Sequence, residues 1–317
     1  DFYALAQHDY QTKDTDGWRK WEQRSAGYNR DGSFVCLPAF EWTSAPFGHR
    51  NVYYAEEGGD FLTSRINGEA WRTDNPCPET LWKTLRESPV RGMTIPHHPS
   101  SSEWPFDWDS LNPEFDRVVE IYSSWGSSET AASLFSGLGT QRIRGTSVRD
   151  MLTNGLRFGL VASSDGHDGH PGNSQSPGYK HRHIYNLLGS GLTGVLCESF
   201  SRREVWEALY NRRCFATTGE PMFCDLTLNG TPMGGELDAP ADGNTELAVD
   251  LTGSTPLREC DIFLNGRLHQ RVFQDDFQYS NTMNISLPET EHSFVYIRAR
   301  QSDNSMLWSS PVFIKNR

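Results

Sequence analysis

The chain has no run of the roughly 18 uncharged apolar residues that a membrane-spanning helix needs, so no place in a bilayer is expected for it. Its first residues, Asp1-Phe2-Tyr3-Ala4-Leu5, lack the basic region of a secretory signal peptide; a soluble protein is expected, with cytoplasm and periplasm both open. Positive charge is also scarce: 29 Lys and Arg stand against 41 Asp and Glu, a formal net charge of −12. Binding to a phosphate backbone needs a basic patch, so nucleic acid is excluded as a bulk partner. The six cysteines form no C-x-x-C pair and no dense framework, which excludes a zinc ribbon and a disulfide scaffold and leaves mostly buried thiols. Internal repeats, low-complexity stretches and a G-x-S-x-G nucleophile elbow are absent too. Gly189 to Gly194 spells G-x-G-x-x-G, but the apolar run Val195-Leu196-Cys197 follows where a dinucleotide site needs a helix N-terminus.

What the chain does contain is enough for two domains. It has 317 residues, 36% of them hydrophobic and 12% aromatic, at a usual size of about 100–200 residues per domain. Up to about Gly219, apolar runs alternate with segments of helical period: Phe2 to Ala6, Phe34 to Phe40, Gly92 to Ile95, Arg117 to Tyr122 and Phe158 to Ala162 are read as strands. Trp18 to Ala26, Glu79 to Arg86, Val148 to Leu156 and Arg202 to Arg212 are read as helices, the last opened by Ser201 and Glu204 as a capping box. This pattern predicts an α/β domain over residues 1–219, with parallel strands in a sheet or barrel. Beyond it the period falls to two, as in Leu247, Val249, Leu251 and Val295, Ile297, Ala299, with Asn229-Gly230 and Asn265-Gly266 as hairpin turns. Residues 220–317 therefore read as an immunoglobulin-like β-sandwich.

Metal-type ligands stand at the ends of the apolar runs of the first domain. His8 follows Phe2 to Gln7, Glu41 follows Val35 to Phe40, and His97-His98 follow Met93 to Pro96. Glu120 follows Val118-Val119, and Asp165 and His167 follow Leu160 to Ser164. A barrel of parallel strands gathers its active site at such ends. Imidazoles mixed with several carboxylates suit two or three ions of zinc, manganese or iron, and such ions activate water and stabilise both oxygens of an in-line displacement. Phosphate ester hydrolysis fits that chemistry. The expected metal set is His8, Glu41, His97, Glu120, Asp165 and His167, with His97, Asp165 and His167 nearest the chemistry. Glu120 could instead orient a neighbouring ring. Of the pair His97-His98 one imidazole should face the ions, with His97 preferred, and the other a supporting partner or the substrate. His49 is open between ligand, substrate contact and loop residue, and is placed with Arg50 and Arg182 as expected substrate contacts. Trp104, Phe106 and Trp108 lie just past His97-His98, where they either wall a pocket or pack a loop.

Together these motifs resemble the PHP (polymerase and histidinol phosphatase) superfamily. The stretch ending Gln7-His8-Asp9 looks like its second motif, and Ala39 to Thr43, Ile95 to Pro99 and Ser164 to His167 look like later ones. Thr193 to Val195, the Ser201 to Arg213 helix, Cys214 to Gly219 and Trp308 to Pro311 resemble an uncharacterised bacterial branch that joins a PHP domain to a C-terminal β-sandwich. The resemblance implies a distorted (β/α)7 barrel, up to three divalent ions and hydrolysis of a phosphate ester. The family's first motif, a His-x-His, is absent, and Gln7 stands where the family commonly has Asp, so the barrel either lacks its first strand or carries a reduced site.

The expected function is a metal-dependent phosphoesterase acting on a small-molecule phosphate ester. Its rivals are a metal-dependent hydrolase of an amide or similar bond, and a non-catalytic binding protein with a vestigial site. For the C-terminal domain a glycan or protein contact is left open, with no residue singled out.

Overall fold

A computed structural model of the chain describes residues 1–12, 14–133, 145–167, 190–288 and 292–315. The N-terminal part contains the short strands β1 (Phe2–Ala4), β2 (Gln7–His8), β3 (Val35–Leu37), β4 (Ala39–Ser44), β5 (Gly48–Tyr54), β6 (Gly92–Pro96), β7 (Val118–Ser123), β8 (Gly126–Ser127) and β9 (Gly159–Ala162). Its helices are α1 (Asp9–Thr12), α2 (Thr15–Ala26), α3 (Pro78–Glu87) and α4 (Val148–Thr153). The ends of these helices follow local chemistry. Asp14 caps α2 by accepting from the Gly17 N–H at 2.8 Å, Pro78 opens α3, and Ser147 with Asp150 forms a reciprocal capping box on α4.

A (β/α)7 barrel is not formed, and this corrects the expectation of parallel strands. Among the described residues strand accounts for 44% and helix for 16%. The small sheets run β1-β3, β2-β4-β5-β6 and β8-β7-β9, with parallel pairing only at β1–β3, β2–β4 and β7–β9 among their described strands. The reason lies in the connections. Only Ala45, Pro46 and Phe47 separate β4 from β5, and a parallel neighbour needs a crossover of about a dozen residues or more. The chain therefore turns back through Gly48, at φ +81°, and sets Thr43 opposite His49 in an antiparallel pair. β6 then pairs antiparallel with β5.

The remaining elements are β10 (Leu192–Val195), α5 (Arg202–Tyr210), β11 (Cys214–Thr217), β12 (Phe223–Leu228), β13 (Thr231–Pro232), β14 (Glu236–Asp238), β15 (Asn244–Leu264), β16 (Arg267–Ser286), β17 (His292–Gln301), β18 (Met306–Ser309) and β19 (Val312–Lys315). Their strands make one curled, mainly antiparallel ten-stranded sheet, which replaces the expected immunoglobulin-like pair of facing sheets. Both Asn-Gly turns form with positive φ at each position, at 47° and 74° for Asn229-Gly230 and 50° and 73° for Asn265-Gly266. Alternation along the strands gives the sheet two apolar faces. Leu226, Val249, Ile262, Ile297 and Leu307 fill the inside of the curl. Phe263, Tyr296 and Trp308 pack outward with Tyr122, Leu152, Phe158 and Leu160 of the N-terminal part. The sheet thus takes in β10 and β11, before position 219, and shares a core with β7, β9 and α4.

Two further cores support the strands that carry the site. Trp18 and Leu81 of α2 and α3 pack on Phe40, Trp42 and Val52, and Val205, Trp206 and Leu209 of α5 pack on Val35, Leu37, Ile95 and Val118. Cys36, Cys214, Cys224 and Cys260 are buried free thiols, as expected, and Cys77 and Cys197 are half-buried. Among the described residues no helix is long and apolar enough to cross a membrane.

Candidate metal centre

The strand ends deliver their polar residues to one place despite the altered topology. His8, Glu41, His49, His97, His98, Asp165 and His167 line a pocket of about 240 Å³. β2 and β4 lie parallel with His8 beside Glu41, and the β4–β5 hairpin adds His49 from the antiparallel neighbour. His97 and His98 leave the end of β6, while Asp165 leaves β9. His98 and Asp165 hold left-handed backbone, at φ +34° and +48°, a conformation that costs energy in residues with a Cβ and clusters at functional sites.

Glu41, His49 and His98 are the tightest group: one ligand atom from each lies within 4.8 Å of the others, and all three side chains are buried. Glu41 Oε1 comes within 2.8 Å of His49 Nδ1, yet neither atom makes a hydrogen bond. Both ring nitrogens of His49 and the Nδ1 of His98 are likewise buried without a hydrogen-bond partner. Buried polar atoms left in this state cost about 1–3 kcal/mol each, so four around one small volume need a compensating ligand. A divalent cation would supply it: one carboxylate and two imidazoles are a donor set that zinc, manganese and iron accept.

Neighbouring contacts hold Glu41 and His98 in the form a metal requires. Burial pushes the Glu41 carboxyl up, but His49 and His8 outweigh it and hold Glu41 well below the ordinary carboxylate range. Burial, with His97 and His49 nearby, keeps the His98 imidazole far below its usual value and therefore neutral. His97 is set from behind by Glu120, whose Oε2 accepts from His97 Nδ1 at 2.7 Å and from Ser163 Oγ at 2.5 Å, while Oε1 accepts from the His98 N–H at 3.1 Å. Both Glu120 oxygens accept hydrogen bonds, and one of them fixes the His97 ring. His97 Nε2 points the other way, 3.4 Å from Asp165 Oδ1. His8 Nδ1 lies 2.8 Å from Thr43 Oγ1 and 3.1 Å from Glu41 Oε2. His167 stands exposed at the rim, its Nδ1 2.9 Å from the Asp165 carbonyl oxygen and its ring 5.9 Å from that of His8.

The expected substrate contacts fare differently. Arg50 is fully buried away from the pocket: its guanidinium donates to the Ser110 carbonyl and hydroxyl at 3.1 and 2.7 Å and lies 4.4 Å from the Phe106 ring centre. Arg182 lies outside the described residues. Of the three aromatics past His97-His98, Trp104 reaches the pocket and packs 5.4 Å from the His49 ring, whereas Trp108 stacks on Phe158. Sequence reasoning placed His49 with the substrate contacts and preferred His97 to His98. It passed over Tyr10, Arg65 and Trp125, which also line the pocket. Trp125 caps His98 at 4.7 Å and donates its indole N–H to Asp165 Oδ2 at 2.5 Å. The doubled histidine after β6 is the signal that pointed toward His98; Tyr10 and Arg65 sit on loops and helix starts without a motif.

Comparison with known proteins adds relatives but no activity. Residues 3–136 match a family described as "Protein of unknown function (DUF3604)". The chain is 29% identical over 344 aligned positions to an uncharacterised protein of Chlamydia pneumoniae, covering 99% of this chain and 52% of that protein. A relative from Chlamydia trachomatis is 28% identical over 326 positions, covering 92% of this chain and 48% of the relative. The chain therefore spans about half the length of the curated relatives it matches. The neutron crystallographic structure of a Jonesia denitrificans lytic polysaccharide monooxygenase aligns with 26% of this chain and 57% of its own at 18% identity, with a TM-score of 0.20, a likeness that carries no argument.

Proposed function

We propose that this chain carries a metal-dependent hydrolase site that cleaves a phosphate ester of a small molecule. The observation that carries the reading is the buried set of unpartnered donor atoms on Glu41, His49 and His98. These three residues would hold one cation, and His97 Nε2, Asp165, His8 and His167 offer donors for one or two more, of the manganese, zinc or iron type. Bound there, divalent ions supply Lewis acidity toward a phosphoryl oxygen and lower the pKa of water at the site.

The chain's own residues do the rest. Glu120 and Ser163 fix the His97 ring, and Trp125 fixes the Asp165 carboxylate, so these groups meet a substrate without rearranging. His167 donates Nδ1–H to the Asp165 carbonyl at the mouth of the pocket, which sets its ring for ligation through Nε2. Trp104 and Trp125 cover the inner imidazoles and exclude water from behind them. The phosphate assignment draws on the motif resemblance and on the donor set, and not on the fold.

The test is a hydrolase screen of protein loaded with manganese, zinc or iron in turn. Turnover of a phosphomonoester or phosphodiester that Glu41→Gln abolishes supports the reading. Cleavage of amide or acyl substrates alone would transfer the site to a different hydrolase class, and metal binding without any turnover would make it a binding protein.

A further inference from the structure

Among the described residues the pocket holds one cationic side chain, Arg65, that the metal reading does not use. Arg65, in the connection between β5 and α3, lines the same pocket as His8, Glu41 and Asp165. Its Nε is buried with no hydrogen-bond partner, and no carboxylate among the described residues forms an ion pair with its guanidinium. A guanidinium left unpaired beside carboxylates is unusual, because a bidentate carboxylate partner is the ordinary solution for a half-buried arginine.

The group is nevertheless held in place. Its guanidinium carbon lies 3.8 Å over the Tyr10 ring, and Tyr10 in turn stacks on His8 at 4.9 Å with 21° between the planes. Arginine, aromatic ring and candidate ligand thus form one column. The backbone is pinned beside it: the buried Asp9 carboxylate accepts from the Ser64 N–H, from the Tyr10 N–H at 2.8 Å and from the Thr43 N–H at 3.4 Å. Asn75 Oδ1 accepts from the Ile66 N–H at 2.8 Å on the other side. A preorganised planar donor with its fork unspent, at the edge of a cation site, has the geometry for a tetrahedral oxyanion.

We propose that Arg65 is the anion-binding residue of this pocket, gripping the non-bridging oxygens of a substrate phosphoryl group, with Tyr10 as its positioning residue. The proposal rests on the metal-dependent phosphoesterase reading for its substrate, and Arg65 takes the place that the sequence assigned to Arg50. Its test is calorimetric titration of inorganic phosphate into wild type, Arg65→Ala and Arg65→Lys. Each is taken both manganese-loaded and chelator-treated, with metal content and thermal midpoint measured on the same samples. The expected result is that Arg65→Ala weakens phosphate binding about ten-fold or more while metal content stays at the wild-type level. Arg65→Lys, which keeps the charge and loses the fork, should fall between the two, and it decides the matter if the alanine variant does not fold. Phosphate affinity unchanged within about two-fold in a folded variant overturns the assignment, as does a wild type that binds no phosphate in either state. Absence of bound metal from the wild type would instead count against the hydrolase reading, and the phosphate titration would still decide the role of Arg65.

Discussion

His97 and Glu120 form a buried pair in which Nδ1 of the imidazole lies 2.7 Å from Oε2 of the carboxylate, so that Nε2 is turned into the pocket toward Asp165. The carboxylate fixes both the tautomer and the plane of the ring, the arrangement by which a protein prepares an imidazole for a metal. Replacing Glu120 by Gln should therefore lower metal affinity about 10–100-fold without removing the site at saturating metal. Competition with a chromophoric chelator measures this, and an unchanged affinity would mean that His97 binds no ion.

Glu41 touches both His8 and His49 and belongs to the tightest group of candidate ligands. Glu41→Gln and His98→Ala should each remove at least one metal equivalent and abolish the thermal stabilisation that added manganese gives, since a ligand that binds only the folded state raises its stability. Differential scanning calorimetry with and without manganese checks this. Retention of the full shift in both variants would place the cation elsewhere.

How far the site was legible in the sequence follows from this geometry. His8, Glu41, His97 and Asp165 could be found because each stands at the end of an apolar run and the strands that carry them keep common directions: β2 runs parallel to β4, β5 alone reverses between β4 and β6, and β9 runs parallel to β7. β5 is not among the runs read as strands, because His49, Arg50 and Asn51 break its apolar pattern, and periodicity does not report its direction either. That direction is what sets His49 against Glu41, so the tightest donor group depends on a hairpin that periodicity does not report. Arg50 is placed with the substrate contacts on the chemistry of its guanidinium alone; alternation along β5 turns it into the core, over Phe106. The helices were legible from caps and period: α5 begins at the predicted Arg202, with Ser201 accepting from the Glu204 N–H.

The junction with the large sheet rests on a second buried carboxylate. Glu129 is 1% exposed and accepts from Arg149, from the Tyr296 hydroxyl at 3.0 Å and from Arg298 at 3.0 Å; Arg298 also reaches Asp261 at 2.6 Å. Removing one partner of such a pair strands the others, so Glu129→Ala should cost about 3–5 kcal/mol in denaturant unfolding. A loss under about 1 kcal/mol would show that the network is solvated.

The same network predicts a pH dependence. Burial pushes Glu129 up, but Arg298 and Arg149 outweigh it and leave its carboxyl below its ordinary value of 4.5. Asp261 is likewise pushed up by burial and held below 3.8 overall by Arg271 and Arg298. A carboxylate lowered on folding adds stability above its unfolded value and loses it as the pH falls through the folded one. Wild-type stability should therefore drop as the pH falls below about 4.5, and more steeply than that of Glu129→Gln. Parallel slopes for the two proteins in that window would remove Glu129 as a cause.

Gly234 tests the packing of the large sheet against the connection between α5 and β11. It sits at φ +80°, and a Cβ there would lie 2.3 Å from the Arg212 carbonyl oxygen. Gly234→Ala combines backbone strain with overlap against a main-chain atom and should destabilise by about 1–3 kcal/mol or more. A thermal midpoint equal to that of wild type would contradict the close approach.

The central claim is that Glu41, His49, His98 and their neighbours hold metal, and its most direct test is elemental analysis of protein purified without chelator. Manganese, iron and zinc should total two or more equivalents per chain, falling in the Glu41→Gln variant. Less than one equivalent in the wild type, with none taken up on addition of manganese, would contradict the account.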